Sequence, residues 1–244
     1  MRFMLMHKTN AHFECGGLPG PELVAGIGQL TVELTQAGVL RGHEGLRPSS
    51  TGVRLKFAGG KHSLQRGPLS GDNELIAGFI ILRLKSIDAA IDWATRLAAV
   101  MGDVEIDVRE VGEPWDVGIC PKPEGLDTTR YMLINKADRN TEAGAPPSPQ
   151  LIAGMKRLLG EMDQAGALLL AVGLQASSKS LRLQFHGERC TVIDGPFAES
   201  KELIAGYCLL DLDTMDEAVH WARRFARVVG DVEVDIRPIH EMPE

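Results

Sequence analysis

The feature that most constrains this chain is an internal repeat. Displacing the sequence by 128 residues aligns positions 2–109 with 130–237 without a gap, and 47 of those 108 positions are identical. Gly102-Asp103-Val104-Glu105 returns as Gly230-Asp231-Val232-Glu233, and Glu74-Leu75-Ile76-Ala77-Gly78 as Glu202-Leu203-Ile204-Ala205-Gly206. Two copies are too few to stack into a solenoid, so the repeat predicts a duplicated globular domain. The copies span 1–111 and 129–240. The intervening 112–128 reads as a linker, because Pro114, Gly118, Pro121, Pro123 and Gly125 oppose regular structure.

Each copy reads as β-α-β-β-β-α-β. Arg2 to His7, and Arg130 to Asn135, are nearly all apolar, which suits a strand covered on both faces. Pro21 and Pro149 open a helix, with Ser148 as an N-cap. Leu151, Met155, Leu158 and Met162 share one helical face. Gly38 and Gly166 are placed to end it in the left-handed region. A hairpin follows, then a strand apolar on both faces, Ala77–Leu84 or Ala205–Leu212. Ser86 and Thr214 cap a second helix. Val104, Ile106 and Val108 alternate with Glu105, Asp107 and Arg109, which predicts a last strand with one wet face. Without one hairpin strand this is the ferredoxin-like βαββαβ pattern. The expected fold class is α+β, with two tandem ferredoxin-like domains packed sheet against sheet as an intramolecular pseudo-dimer. A pocket is expected between the sheets and loops.

The net charge is −7. Cut at residue 122, each half carries 13 Lys+Arg, against 14 Asp+Glu in the first and 19 in the second. An acidic chain without a basic stripe is a poor fit for a phosphate backbone, so no nucleic-acid partner is expected. No apolar run approaches the ~20 residues that span a bilayer, and no secretory leader opens the sequence, so a cytoplasmic protein is expected. Cys15, Cys120, Cys190 and Cys208 form no Cys-x-x-Cys pair and read as buried free thiols. No spacing proposes a metal site or a cofactor.

The chemistry-bearing stretch is Asp194-Gly195-Pro196-Phe197-Ala198-Glu199-Ser200-Lys201-Glu202. Its first copy reads Arg66-Gly67-Pro68-Leu69-Ser70-Gly71-Asp72-Asn73-Glu74. Asp194 is the candidate general acid/base at a pocket mouth. The alternatives are an aspartate that fixes the turn by accepting backbone N–H groups, or an ion pair with Arg66 across the pseudo-twofold axis. Glu199 and Lys201 would orient a polar ligand, or form a solvated loop. His186, at a hairpin tip, and His7, on the first strand, are further ligand-binding candidates. Surface exposure and a satisfied core position are their respective alternatives. Glu74 and Glu202 persist in both copies, which suggests a shared role in the fold.

The Asp194–Glu202 stretch resembles the signature of the DGPF, or YCII-related, domains. Arg130-Tyr131-Met132-Leu133, Ala165-Gly166, Gly173-Leu174, Leu203-Ile204-Ala205-Gly206-Tyr207, Trp221-Ala222 and Asp235-Ile236-Arg237-Pro238 carry the same likeness. The resemblance implies a dimeric α+β barrel of ferredoxin-like units. Some relatives are proposed to use a His–Asp pair with the histidine on the first helix, but neither Pro21–Ala37 nor Leu151–Ala165 holds a histidine. DGPF domains also occur near or fused to sigma factors. The leading expectation is therefore a protein that binds an unknown small molecule, with Asp194 as acid/base if it is an enzyme. The alternatives are a non-catalytic regulatory module linked to transcription, or a structural dimerisation domain. Whether whole chains form a homodimer stays open.

Overall fold

The computed structural model describes residues 1–71 and 73–241. The first copy forms β1 (Arg2–Lys8), a short α1 (Ala11–Glu14), α2 (Pro21–Gln36), β2 (Leu40–Gly45), β3 (Val53–Ala58), β4 (Lys61–Arg66), β5 (Ile76–Leu84), α3 (Ile87–Met101) and β6 (Val104–Glu110). The second repeats this as β7 (Thr129–Lys136), α4 (Arg139–Glu142), α5 (Pro149–Gln164), β8 (Leu168–Gly173), β9 (Leu181–His186), β10 (Arg189–Asp194), β11 (Ile204–Asp211), α6 (Met215–Val229) and β12 (Val232–Pro238). Local chemistry sets the bounds. Ser148 accepts the Leu151 N–H at 3.1 Å, Ser86 accepts Ala89 at 3.2 Å, and Thr214 accepts Glu217 at 3.3 Å. Gly38 and Gly166 take φ of 72° and 65° at the helix ends.

Three readings of the sequence need correction. The β-α-β-β-β-α-β order omits one strand per copy, β2 or β8, between the first long helix and the hairpin. That order also omits the helical turn after β1 or β7, capped by Asn10 or Asp138. The linker forms a 3-10 turn, Pro114–Val117, closed by Glu113 and Asp116.

The sheets do not follow the repeat boundary. One runs β10-β9-β12-β1-β11-β2 and the other β4-β3-β6-β7-β5-β8, antiparallel at every pairing. Each copy therefore donates its β-α-β opening (β1-α2-β2 or β7-α5-β8) to the sheet of the other. Residues Phe3 and Leu5 join Leu30 and Leu34 of α2 with Ala218, Ala222 and Ala226 of α6 in a core outside the first sheet. A matching core lies between the second sheet and α3 and α5. Between the sheets Met4, Met6, Phe79, Met132, Tyr207 and Leu209 form a third core, where the Phe79 and Tyr207 rings stand 4.9 Å apart.

The expected barrel is not closed. Both sheets keep open edges, and the isolated bridges Leu46–Val111 and Leu174–Ile239 tie them at two corners. The centre between the sheets is filled by side chains rather than hollow. The expected wet face of the last strand is also wrong. Asp107 and Arg109, with Asp235 and Arg237, are buried on the side facing the other sheet. Trp93 and Trp221 are half-buried beneath the guanidinium groups of Arg96 and Arg224. Cys15 and Cys120 are exposed free thiols rather than buried ones.

Candidate functional site

The Gly-Pro turn is held by a buried serine. Ser177 accepts the Phe197 N–H on its Oγ at 3.0 Å, while the Gly195 N–H reaches the Ser180 carbonyl at 3.0 Å. Glu142, on the short α4, accepts the Ser177 N–H at 3.1 Å and its hydroxyl. The first copy repeats this with Ser49, Leu69, Gly67, Gly52 and Glu14. A Cβ on Gly195 would lie 1.7 Å from the Ser177 carbonyl oxygen, and one on Gly67 1.8 Å from that of Ser49. The glycine shared by both motifs is thus required by close backbone approach.

Asp194 is the last residue of β10 and is exposed. It stands opposite Leu181, whereas its neighbour Ile193 stands opposite Arg182. Side chains alternate along a strand and cross-strand partners share a face. Arg182 pairs in register with Asp235, and Asp235 with Met6 of the inter-sheet core. Asp194 therefore projects to the helix side, opposite Arg182. Among the described residues its carboxylate takes no hydrogen bond or ion pair. Arg66, on the edge strand of the other sheet, is not its partner. Glu199 and Lys201 are exposed and pair with each other at 3.2 Å. His186 is exposed at the hairpin tip, with Nδ1 3.7 Å from Asp231. His7 packs against Phe225 at 5.1 Å between ring centroids, and burial pushes its pKa down to about 4. No hydrogen bond or salt bridge among the described residues joins Asp194 to Glu199, Lys201, His186 or His7.

What the fold does assemble is a buried charge network on the inter-sheet face. In one sheet Asp107 pairs with Arg54 at 2.6 Å and with Lys136 at 2.8 Å, and Glu74 bridges the same two cations. In the other, Asp235 pairs with Arg182 at 2.6 Å and with Lys8 at 2.9 Å. Lys8 and Lys136 each come from the copy opposite their partners, so strand exchange builds both clusters. Burial alone would raise the Asp107 carboxyl. The Arg54 hydrogen bond and the charges of Lys136 and Arg54 outweigh it and hold the group below the ordinary aspartate value. Asp235 is likewise depressed, against its burial, by Lys8 and Arg182.

The two motif loops meet between these clusters. The Glu74 N–H donates to the Ser200 carbonyl at 2.6 Å, and the Ser200 N–H to Asn73 Oδ1 at 3.2 Å. Here the halves diverge. Glu74 is 2% exposed and ion-paired, while its counterpart Glu202 is turned to solvent. Lys8 instead donates to the Ser200 hydroxyl at 2.7 Å. Arg182 lies over the Phe197 ring at 4.4 Å and donates to the Glu199 carbonyl at 3.1 Å. Deeper in each sheet a buried arginine closes the row. Arg237 donates to the Ile76 carbonyl of the facing sheet at 3.3 Å and sits 3.4 Å from Glu142. Arg109 donates to the Arg47 carbonyl at 2.6 Å and lies 3.6 Å from Glu14.

Sequence reasoning missed Lys8, Arg182 and Asp235. A signal for them was present: Lys8/Lys136, Arg54/Arg182 and Asp107/Asp235 are charged residues on strands and are identical in both copies. Among the described residues no group of three or more His, Cys, Asp or Glu is arranged to hold a metal, and no helix is long and apolar enough to cross a membrane.

The YCII-related domain family matches twice, over residues 1–111 and 129–242. The chain belongs to this family. As a tandem YCII-related protein it carries two matched domains whose strands are exchanged between the sheets. An uncharacterised protein of Rhizobium meliloti (strain 1021) is 37% identical over 79 residues, covering 31% of this chain and 62% of the relative. The chain thus spans less than two thirds of that relative's length. No solved structure matches.

Proposed function

We propose that this tandem YCII-related protein binds a small polar molecule at one site per chain. The site is the second-half loop Phe197–Glu202 where it lies over Lys8, Arg182 and Asp235. The divergence of Glu74 and Glu202 carries this reading. The same cationic framework exists in both halves, but the first-half loop buries its glutamate into it and the second-half loop turns its glutamate outward. Glu199 and Lys201 lie at the rim in this reading. Asp194, on the other face of β10, takes no part in it.

The test is a thermal-shift panel of anionic, neutral and cationic small molecules. Hits are then mapped by amide chemical-shift perturbation on wild type, Glu202→Gln and Asp194→Asn. A ligand at about 100 times its Kd stabilises by roughly 2.7 kcal/mol, which moves the midpoint of a chain this size by several degrees. Perturbations are expected at 197–202, and equally in Asp194→Asn. A panel without a stabilising compound, or hits that perturb a different region, would refute the reading.

A further inference from the structure

The pseudo-twofold relation between the halves shows what the second site lacks. In the first half two buried cations, Arg54 and Lys136, face two buried carboxylates, Asp107 and Glu74. In the second, among the described residues, Lys8 and Arg182 face one buried carboxylate, Asp235. Glu105 and Glu233 occupy equivalent, partly exposed places beside Arg54 and Arg182 and cancel in the comparison. Among the described residues the difference is one buried negative charge.

The donors left by that difference are specific. Arg54 Nη2 donates both to Asp107 and to the two Glu74 oxygens at 2.9 Å. Arg182 Nη2 donates to Asp235 at 3.0 Å, and among the described residues takes no second acceptor. Among the described residues Lys8 uses two of its three N–H groups, on Asp235 and on Ser200 Oγ. The Ser200 hydroxyl accepts from Lys8. Its own proton is donated to the Glu202 carbonyl at 3.5 Å, a long bond that a closer carboxylate acceptor would replace. Arg182, Lys8 and Ser200 thus converge as one guanidinium, one ammonium and one hydroxyl. That donor set suits a planar, singly charged acceptor.

Building on the site proposed above, we infer that the second half binds the carboxylate of a small organic acid. The ligand carboxylate sits where the Glu74 side chain sits in the first half, accepting from Arg182 Nη2, Lys8 Nζ and the Ser200 hydroxyl. The first half is self-occupied by Glu74, so the stoichiometry is one per chain. The exposed loop around Glu199 and Glu202 is the entrance, and the remainder of the acid extends there.

The experiment uses the full chain, with acetate as the carboxylate probe and acetamide as its neutral isostere. Arginine Nε–Hε and backbone amide signals are followed while sodium acetate replaces sodium chloride at constant ionic strength. A saturable one-site shift is expected at Arg182 and at the 197–202 amides. Acetamide should give no comparable shift, and Glu202→Gln should bind at least as well as wild type. Glu74→Ala opens the first-half slot, so acetate is expected to raise its melting temperature more than wild type's and to bind with a stoichiometry of two. If Glu74→Ala does not fold, the wild-type titration still decides. No saturable acetate shift, an equal response to acetamide, or an equal response at Arg54 in wild type would overturn the inference. A neutral compound that shifts the 197–202 amides where acetate does not would leave the binding reading standing and remove only the carboxylate.

Discussion

Glu74 and Glu202 are the same residue at the same place in the repeat, yet their replacement is expected to have very different consequences. The Glu74 carboxylate accepts from Arg54 Nη2 at 2.9 Å and pairs with Lys136, and the three side chains are 1%, 5% and 8% exposed. Removing one partner of a buried ion pair costs about 3–5 kcal/mol, chiefly because the remaining charge is left buried. Here Asp107 still holds both cations, so the low end applies and Glu74→Ala should cost about 3 kcal/mol. For a chain of this length that is a drop in melting temperature of roughly 6–12 °C. Glu202 is exposed and unpaired among the described residues. Glu202→Ala should stay within about 0.5 kcal/mol of wild type. Urea unfolding followed by far-ultraviolet circular dichroism, with linear extrapolation, measures both. Equal losses in the two variants would refute the divergence of the halves, and with it the case for a single open site.

Gly195→Ala places a methyl group 1.7 Å from the Ser177 carbonyl oxygen. It should cost about 1–3 kcal/mol or more in the same unfolding assay, against less than about 0.5 kcal/mol for Asp194→Ala. His7 holds its folded pKa near 4 against an ordinary 6.5. The unfolded chain therefore takes up a proton below pH 6.5 that the native state refuses until about pH 4. Stability should fall over that window by about 3 kcal/mol, and His7→Asn, which installs the residue found at the aligned Asn135, should flatten it in a pH series of midpoints. Asp235 has the opposite sign. Its depressed carboxyl contributes stability that is full above the ordinary aspartate value near 3.9 and is lost as pH falls through the lower folded value. Asp235→Asn should thus cost about 3 kcal/mol at pH 7 and much less near pH 2, as read by urea midpoints at the two pH values.

Most of what depends on neighbours along the chain was legible before folding, although the short turns Ala11–Glu14, Arg139–Glu142 and Pro114–Val117 were not read. The repeat, the helix starts at Pro21 and Pro149, the serine and threonine caps and the left-handed Gly38 and Gly166 are local choices, and they stand in the structure as read. The apolar character of Arg2–His7 correctly marked a strand covered on both faces. The tertiary structure alone decided which copy that strand serves. Arg2–Lys8 and Thr129–Lys136 carry nearly the same pattern, and either would satisfy either sheet locally. Their exchange rests on pairings more than 190 residues apart for β1 and on the reciprocal ones for β7. For the same reason the alternation of Glu105, Asp107 and Arg109 looked like a solvent face. Polarity along one strand does not record that a second sheet with complementary charges will cover it. The candidate site followed suit: Asp194 stood out because it is charged and follows a strand, but register turned it away from Arg182. Lys8, Arg182, Ser200 and Asp235 meet because strands from both copies lie side by side, and spacing along a single copy does not encode that meeting.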